Sequence, residues 1–279
     1  MPYFHVVFTI PHELCNVPVL ARAALYDALF RASSATLLEV GRRRLGGQLG
    51  FLSVLHTWGQ TLTHHPHVHC VVPAGALSDD RASFRTSSAR FFLPVRVLAE
   101  VFKAKMLDEL ERRPLPGLEP SLLRLLLDDV IKKKWVVYAK RPFGGPEQVL
   151  RYLARYTHKI AISDRRFLDV DDHGVTFAYK DYRHGNESKT MRLDAREFLR
   201  RFTTHVLPRG FVRLRSFGFL ANAIKAEKLD VIRALLGAPA REKPAETEAE
   251  ERPTCACPVC GRGALVGHRP LPLAPLDSS

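Results

Sequence analysis

The segment from His64 to Val72, which reads HHPHVHCVV, constrains this chain more than any other stretch. Side chains alternate across a β-strand with a period of two, so His67 and His69 point to one face, and neighbouring valines can anchor the strand in a core. Two imidazoles on one face form a metal-binding geometry. The same pair is equally compatible with a hydrogen-bonded surface feature, so a second motif is needed to decide between the two.

A helix is predicted to begin after the glycine pair at 144–145, which breaks the preceding segment. Pro146 suits the first helical position, and Glu147 and Gln148 in the first turn favour the positive end of the helix dipole. The second motif therefore lies on a helix.

Two tyrosines occupy one face of this helix. At 3.6 residues per turn, Gln148, Tyr152 and Tyr156 fall on one stripe, with Arg151 and Arg155 on an adjacent one. Tyrosines at helical spacing are by default core residues. Four aliphatic residues between positions 149 and 154 already supply an apolar face, which leaves the tyrosines available for chemistry.

Together the histidine pair and the tyrosine pair predict covalent phosphoryl transfer on a nucleic acid. A tyrosine hydroxyl is a poor nucleophile at neutral pH and needs a metal that polarises the phosphate. The predicted product is a phosphotyrosine link to a 5′ end beside a free 3′ hydroxyl. That link conserves the bond energy, so rejoining requires no ATP, and a second tyrosine allows a second cleavage.

Three separated motifs resemble the two-tyrosine rolling-circle transposases of the insertion-sequence ninety-one family. This family belongs to the HUH endonucleases, named for their histidine-hydrophobic-histidine motif. The resemblance covers roughly Tyr3 to Asn222, and its motifs are LHTWGQ at 55–60 running into the histidine segment, YLARYTHK at 152–159, and LPRGFVR at 207–213.

The resemblance implies a single-strand DNA endonuclease and strand transferase that uses Mg²⁺ or Mn²⁺ and acts on the ends of its own mobile element. It makes His67 and His69 metal ligands, and Tyr152 and Tyr156 the nucleophiles. It also implies an HUH core, which is a ferredoxin-like sheet with the metal on its face. Oligomeric state does not follow from the sequence.

The third metal ligand is left open by this reasoning. Gln148 is preferred because it shares the tyrosine face, and His158, His65 and His56 are alternatives. Imidazole suits zinc, copper or nickel, whereas magnesium and manganese prefer oxygen.

Charge favours a nucleic-acid partner. The chain has 42 Lys and Arg against 29 Asp and Glu, a formal net charge of +13, and such an excess attracts polyanions. Basic residues interleaved with Trp135 and Tyr138 suit single strands, whose bases stack on aromatic rings. Ordinary solvated surface charge is the alternative for each of the residues proposed to bind DNA, which are Lys132, Lys133, Lys134, Arg151, Arg155, Lys159, Arg209, Arg213 and Arg215.

Mixed strands and helices without strict alternation predict an α+β fold with a mainly antiparallel sheet and flanking helices. The predicted strands are 3–10, 50–57, 67–72, 135–139, 167–170, 175–179 and 188–193. The predicted helices are 17–44, 95–111, 120–132 and the tyrosine helix, followed by one that Asp194 caps and that runs to about residue 205.

Three regions are predicted: a catalytic domain at 1–236, an Ala/Glu/Pro-rich linker at 237–253, and a flexible Cys-containing tail at 254–279. In the tail, Cys255, Cys257, Cys260 and His268 are candidate ligands of a structural Zn²⁺, and a cluster of reduced thiols is the alternative. No apolar run is long enough to cross a bilayer and no signal peptide is evident, so we expect a cytoplasmic, nucleoid-associated protein with no membrane partner.

Other functions share part of this pattern. A plasmid relaxase or a rolling-circle replication initiator has the same histidine pair and tyrosine, and a non-catalytic DNA-binding remnant would bind without forming an adduct. Full-length relatives usually begin with a zinc-binding segment, whereas this chain starts on its first predicted core strand at Tyr3. We therefore expect nicking of single strands to survive even where recognition of the element's ends does not.

Overall fold

The computed structural model describes residues 2–87, 93–143, 147–148, 161–182, 185–239, 254–256 and 264–266. Its strands are β1 (Tyr3–Thr9), β2 (Gly50–Trp58), β3 (His64–Pro73), β4 (Gly75–Leu77), β5 (Phe84–Thr86), β6 (Val137–Phe143), β7 (Phe167–Asp171), β8 (Gly174–Asp181), β9 (Glu187–Asp194), β10 (Leu214–Gly218), β11 (Thr254–Ala256) and β12 (Ala264–Val266). The α-helices with full bounds are α1 (Arg22–Leu45), α2 (Val95–Arg112), α3 (Pro120–Val130), α4 (Ala195–Thr203) and α5 (Lys225–Leu235).

A five-stranded sheet in the order β10-β2-β3-β1-β6 forms the centre of the fold. Each neighbouring pair in it is antiparallel. The predicted α+β class with a mainly antiparallel sheet is confirmed, and β3, which carries the histidine motif, is the central strand as predicted.

Helices α1 and α2 cover one face of this sheet. Alternate residues of the strands point into that layer because of the period of two, and Phe8, Val68 and Cys70 are completely buried there. The rings of Phe8 and Phe102 of α2 are 4.9 Å apart between centroids. The other alternating set, which includes His67 and His69, faces away from this core.

The first long helix begins later than predicted. A 3₁₀ turn spans Val19–Ala21, and α1 begins at Arg22 instead of at Val17. Pro18 has an extended backbone, with ψ of 151°, which is incompatible with a helical start at that point. The helix ends where Gly46 takes the left-handed conformation at φ 65°, a termination that glycine permits without strain.

Trp135 is a core residue, and the prediction that it stacks on DNA bases is wrong. Its side chain is 4% exposed, its indole N–H donates to the Val130 carbonyl at 2.9 Å, and its ring meets Phe102 edge-on. The strand that follows begins at Val137 instead of 135. Tyr138, by contrast, is exposed.

A second, smaller layer follows in the chain. Strands β7, β8 and β9 form an antiparallel meander, and Asp194 caps α4 by accepting a hydrogen bond from the Arg196 backbone N–H, both as predicted. A small apolar cluster joins this layer to the β2–β3 loop through Leu62, which packs with Val175 and Phe177.

The chain divides into two compact units, Met1–Pro239 and Ala240–Ser279. In the second unit β11 and β12 pair in antiparallel fashion. Of the candidate zinc ligands, Cys255 lies on β11, and Cys257, Cys260 and His268 lie outside the described residues. Among the described helices, none has the length and apolarity needed to cross a membrane.

Candidate metal centre

Three histidines meet on the face of the central sheet that α1 and α2 leave uncovered. His67 and His69 project from β3, and His56 lies directly opposite His67 on β2. One ring nitrogen from each of the three residues lies within 4.8 Å of the others. This spacing allows three imidazoles to converge on one ion.

Neighbouring groups fix the orientation of two of these rings. His67 Nδ1 lies 2.6 Å from the His65 carbonyl oxygen, which can only accept, so Nδ1 carries the proton and Nε2 keeps its lone pair. His69 Nδ1 lies 2.7 Å from His5 Nε2 on β1, and the two rings are stacked. A second ring nitrogen held in this way is typical of metal-binding histidines.

Burial keeps the imidazoles of His56 and His67 neutral. Burial lowers the pKa of His56 to about 2, with the charge of His67 as the next cause. Burial likewise lowers the pKa of His67 to about 4, although its bond to the His65 carbonyl raises it. Uncharged imidazoles at neutral pH are the form that coordinates a cation.

An aromatic and a cationic side chain border the cluster. The Trp58 ring stacks on His56 at 4.9 Å between centroids, and the Arg213 guanidinium lies 5.9 Å from the Trp58 ring. His56 and Trp58 are two residues apart on β2, so the period of two places both rings on one side of the strand. Arg213 is thus placed beside the histidines, where it can meet an anionic group.

His64 belongs to a different environment although it starts the same motif. Its Nε2 lies 2.8 Å from the Tyr26 hydroxyl on α1, and its Nδ1 donates to the Cys15 carbonyl at 2.8 Å. Both ring nitrogens are therefore used in hydrogen bonds within the protein. His64 acts in packing the sheet against α1.

Polar bonds secure the loop that joins β2 to β3. The buried His205 side chain bonds the Leu62 carbonyl through Nε2 at 3.0 Å and Thr57 Oγ1 through Nδ1 at 3.2 Å. Arg166 donates to the Gln60 carbonyl. Leu62 itself has a positive φ of 59°, a conformation that these contacts hold in place. Sequence reasoning overlooked His205, because a lone histidine 148 residues from Thr57 gives no local signal.

The other residues predicted as ligands or nucleophiles are less fully placed. Gln148 is helical and exposed, and its role as third ligand stays a prediction. Tyr152, Tyr156 and His158 lie outside the described residues.

The residues predicted to bind DNA have varied surroundings. Arg215 pairs with Asp27 of α1 at 2.5 Å, and Lys133 pairs with Glu13 and Asp129. Arg215 and Arg213 thus contact different parts of the molecule. Lys132, Lys134 and Arg209 are exposed, and Arg151, Arg155 and Lys159 lie outside the described residues.

A family model described as "Putative transposase" (Y2_Tnp) matches residues 50–228, which include all three clustered histidines. The chain belongs to this transposase family. The assignment agrees with the predicted resemblance to transposases.

Two curated relatives support the same assignment. "Putative transposase y4qJ" of Sinorhizobium fredii (strain NBRC 101917 / NGR234) is 44% identical over 290 residues, covering 95% of this chain and 72% of the relative. "Transposase for insertion sequence element IS801" of Pseudomonas savastanoi pv. phaseolicola is 30% identical over 239 residues, covering 82% of this chain and 56% of the relative.

Two solved structures are also similar. One is the conjugative relaxase TrwC in complex with oriT DNA in a metal-free state, which shares 12% identity, with 84% of this chain and 72% of that chain covered and a TM-score of 0.30. The other is TrwC complexed with a 27-mer DNA that comprises the recognition hairpin and the cleavage site, at 12% identity, coverage of 84% and 74%, and a TM-score of 0.30. A TM-score at this level carries no conclusion about this chain.

Proposed function

We propose that this chain is a two-tyrosine HUH transposase that nicks and rejoins single-stranded DNA with the help of a divalent metal. The observation that carries the proposal is the convergence of His56, His67 and His69 on the face of the central sheet opposite α1 and α2. Membership of a transposase family supports DNA as the substrate.

His56, His67 and His69 would hold the metal, with His56 as the third ligand instead of Gln148. The donor set fits a cation. Ring nitrogens of the three histidines lie within 4.8 Å of one another, and the imidazoles of His56 and His67 are neutral. At His67 the tautomer leaves the Nε2 lone pair free to coordinate. A bound divalent cation would polarise the scissile phosphate and stabilise charge on the leaving oxygen. Manganese is the first ion to test, with zinc, cobalt and nickel beside it because imidazole favours them.

The hydroxyl of Tyr152 or Tyr156 is the proposed nucleophile. The hydroxyl loses its proton as its oxygen bonds to the phosphorus. The bond from phosphorus to the 3′ oxygen breaks, and the 3′ oxygen takes up a proton as a free hydroxyl. The DNA 5′ end stays on the tyrosine. Attack by a 3′ hydroxyl reverses these steps and rejoins a strand without ATP. Transposition of a mobile element by rolling circle would use both tyrosines in turn.

The test is to incubate the protein with labelled single-stranded DNA pools and manganese, denature it, and measure label that stays with the protein. We expect retained label that disappears with a metal chelator and in the double variant Tyr152→Phe/Tyr156→Phe. The matched control is Tyr179→Phe/Tyr182→Phe, which removes two hydroxyls from β8 and the turn after it and should keep the label.

Two results would contradict the proposal. Nicking that persists in the Tyr152→Phe/Tyr156→Phe variant would assign the nucleophile elsewhere. Salt-sensitive DNA binding without a covalent adduct, whichever of these metals is added, would indicate a DNA-binding protein without catalysis.

A further inference from the structure

A basic pocket lies at the end of β3, beside the histidine cluster and on the other side of the strand. Its cavity of about 350 Å³ is bordered by the first turn of α1, the β2–β3 loop and the C-terminal turn of α4. That volume is at the lower end of the roughly 300–1,000 Å³ typical of small-ligand sites.

Three arginines line this pocket: Arg22, Arg200 and Arg201. Glu197 pairs with both Arg200 and Arg201, so a single negative charge is shared between two guanidinium groups. Among the described residues that border the pocket, none is acidic. The pocket therefore carries an excess of positive charge.

Arg22 adds a more specific signal. Its Nη1 donates to the Thr204 carbonyl at 3.4 Å, whereas its Nε is buried and has no hydrogen-bond partner in the part of the chain that the structure describes. A buried donor without an acceptor is costly, and more so on a charged group. Arg22 therefore borders the pocket with a guanidinium whose donors the described protein groups satisfy only in part.

Several other wall residues are polar and uncharged. Thr63, Asn16 and Cys15 border the pocket, and burial raises the pKa of the Cys15 thiol to about 12, so it stays protonated. Burial lowers the pKa of His64, another wall residue, to about 4, so its imidazole is neutral. The Thr63 hydroxyl and the Asn16 side-chain amide can donate to an oxyanion, and the neutral His64 imidazole does not repel it.

We propose that this pocket binds a phosphate group through Arg22, Arg200 and Arg201. Guanidinium groups suit phosphate because they present several donors in a fixed plane. Two sources share this chemistry: the backbone of a bound DNA strand, and a free phosphate or nucleotide. The DNA source rests on the proposed function. The position of the pocket favours the DNA source, because the pocket lies close to the histidine cluster. His64 is in the pocket wall, and the ring centroid of the next residue, His65, is 5.4 Å from that of His67.

The experiment measures binding to the full chain by calorimetry without added metal, using orthophosphate, deoxyadenosine monophosphate and a ten-residue oligothymidylate as probes. We expect Arg22→Gln and Arg200→Gln each to weaken binding of phosphate-bearing probes about tenfold or more, as loss of a charge-assisted hydrogen bond implies. Arg124→Gln, on the exposed surface of α3, is the matched control and should leave affinity unchanged. Amide chemical shifts of Thr63 and His64 should move on binding.

The probes distinguish the two sources. Oligothymidylate that binds much more tightly than orthophosphate, and is displaced by it, assigns the pocket to the DNA backbone; comparable affinity for the two small probes assigns it to a free phosphate or nucleotide. Unchanged affinity of every probe in both arginine variants, or unmoved Thr63 and His64 amides, overturns the proposal. Arg200 is exposed, so Arg200→Gln should fold. It therefore tests the pocket even if Arg22→Gln does not fold.

This test is separable from that of the proposed function. His67→Ala should abolish nicking and leave orthophosphate binding intact. If phosphate binding survives in a protein that never forms a DNA adduct, only the catalytic proposal fails; if nicking persists while both arginine variants bind every probe normally, only the pocket proposal fails.

Discussion

The two faces of β3 use the same type of residue in different ways. On the face that packs against α1, His64 is hydrogen-bonded through both ring nitrogens, and Val68 and Cys70 are completely buried. On the opposite face His67 and His69 converge with His56. A histidine on this strand thus either packs against a helix or joins a cluster of imidazoles, according to what the neighbouring elements place against it.

The largest expected effect is on the cluster face. His67→Ala should reduce metal-dependent nicking by at least about 10²-fold. Removing a metal ligand should lower activity at least as much as removing a group that hydrogen-bonds to a ligand. The rate of adduct formation and the manganese affinity are the measurements. His173→Ala, in an exposed turn, is the control, and near-normal nicking by His67→Ala would remove the cluster from the mechanism.

A smaller effect is expected one step from the cluster. His5→Ala removes the partner of His69 Nδ1 and should weaken metal binding by about 10- to 100-fold. His5→Gln, which can still bond to Nδ1, should recover part of the affinity. If Ala and Gln behave alike in a manganese titration, His5 contributes only packing.

On the packed face the expected change is in stability. His64→Ala leaves the buried Tyr26 hydroxyl without its bond, at a cost of about 1–3 kcal/mol in the free energy of unfolding. Urea denaturation measures this. Metal affinity of the His56, His67 and His69 cluster should stay normal, and a parallel loss of it would show that the two faces are not independent.

His64 should also make the stability of the fold sensitive to acid. The pKa of His64 falls from 6.5 to about 4 on burial, so the unfolded chain binds a proton that the folded chain rejects between those values. Stability from this group is therefore fully present above pH 6.5 and is lost as pH falls towards 4. Denaturation of the wild-type chain and of His64→Ala across this range should show a shallower pH slope in the variant; equal slopes would contradict the assignment.

The smallest expected effect is on stability and comes from the N-terminal cap of α4, away from both faces of β3. Asp194→Ala removes the side-chain cap of α4 and should cost about 1 kcal/mol of stability. Asp172→Ala, in the turn between β7 and β8, is the control. A change in nicking without a change in stability would link α4 to the site more directly than its cap predicts.

Much of the fold followed from local pattern. The period of two predicted that β3 has one buried face. The polar segment after Trp58 predicted a loop that joins β2 to β3. The prediction for Trp135 was wrong because aromatic rings interleaved with lysines give the same sequence pattern whether they stack on a ligand or fill a core. Only the packing of α2 and α3 against Trp135 distinguishes the two.

The sequence by itself determined that His67 and His69 share one face of a central strand, because strand periodicity is a local property of the backbone. It could not choose among His56, His65, Gln148 and His158 for a third ligand. The antiparallel register of β2 with β3 decided that His56 lies opposite His67, since register is set by pairing between segments that the chain brings together only on folding. The arginine pocket has the same origin, as α1 and α4 meet there from positions far apart in the chain.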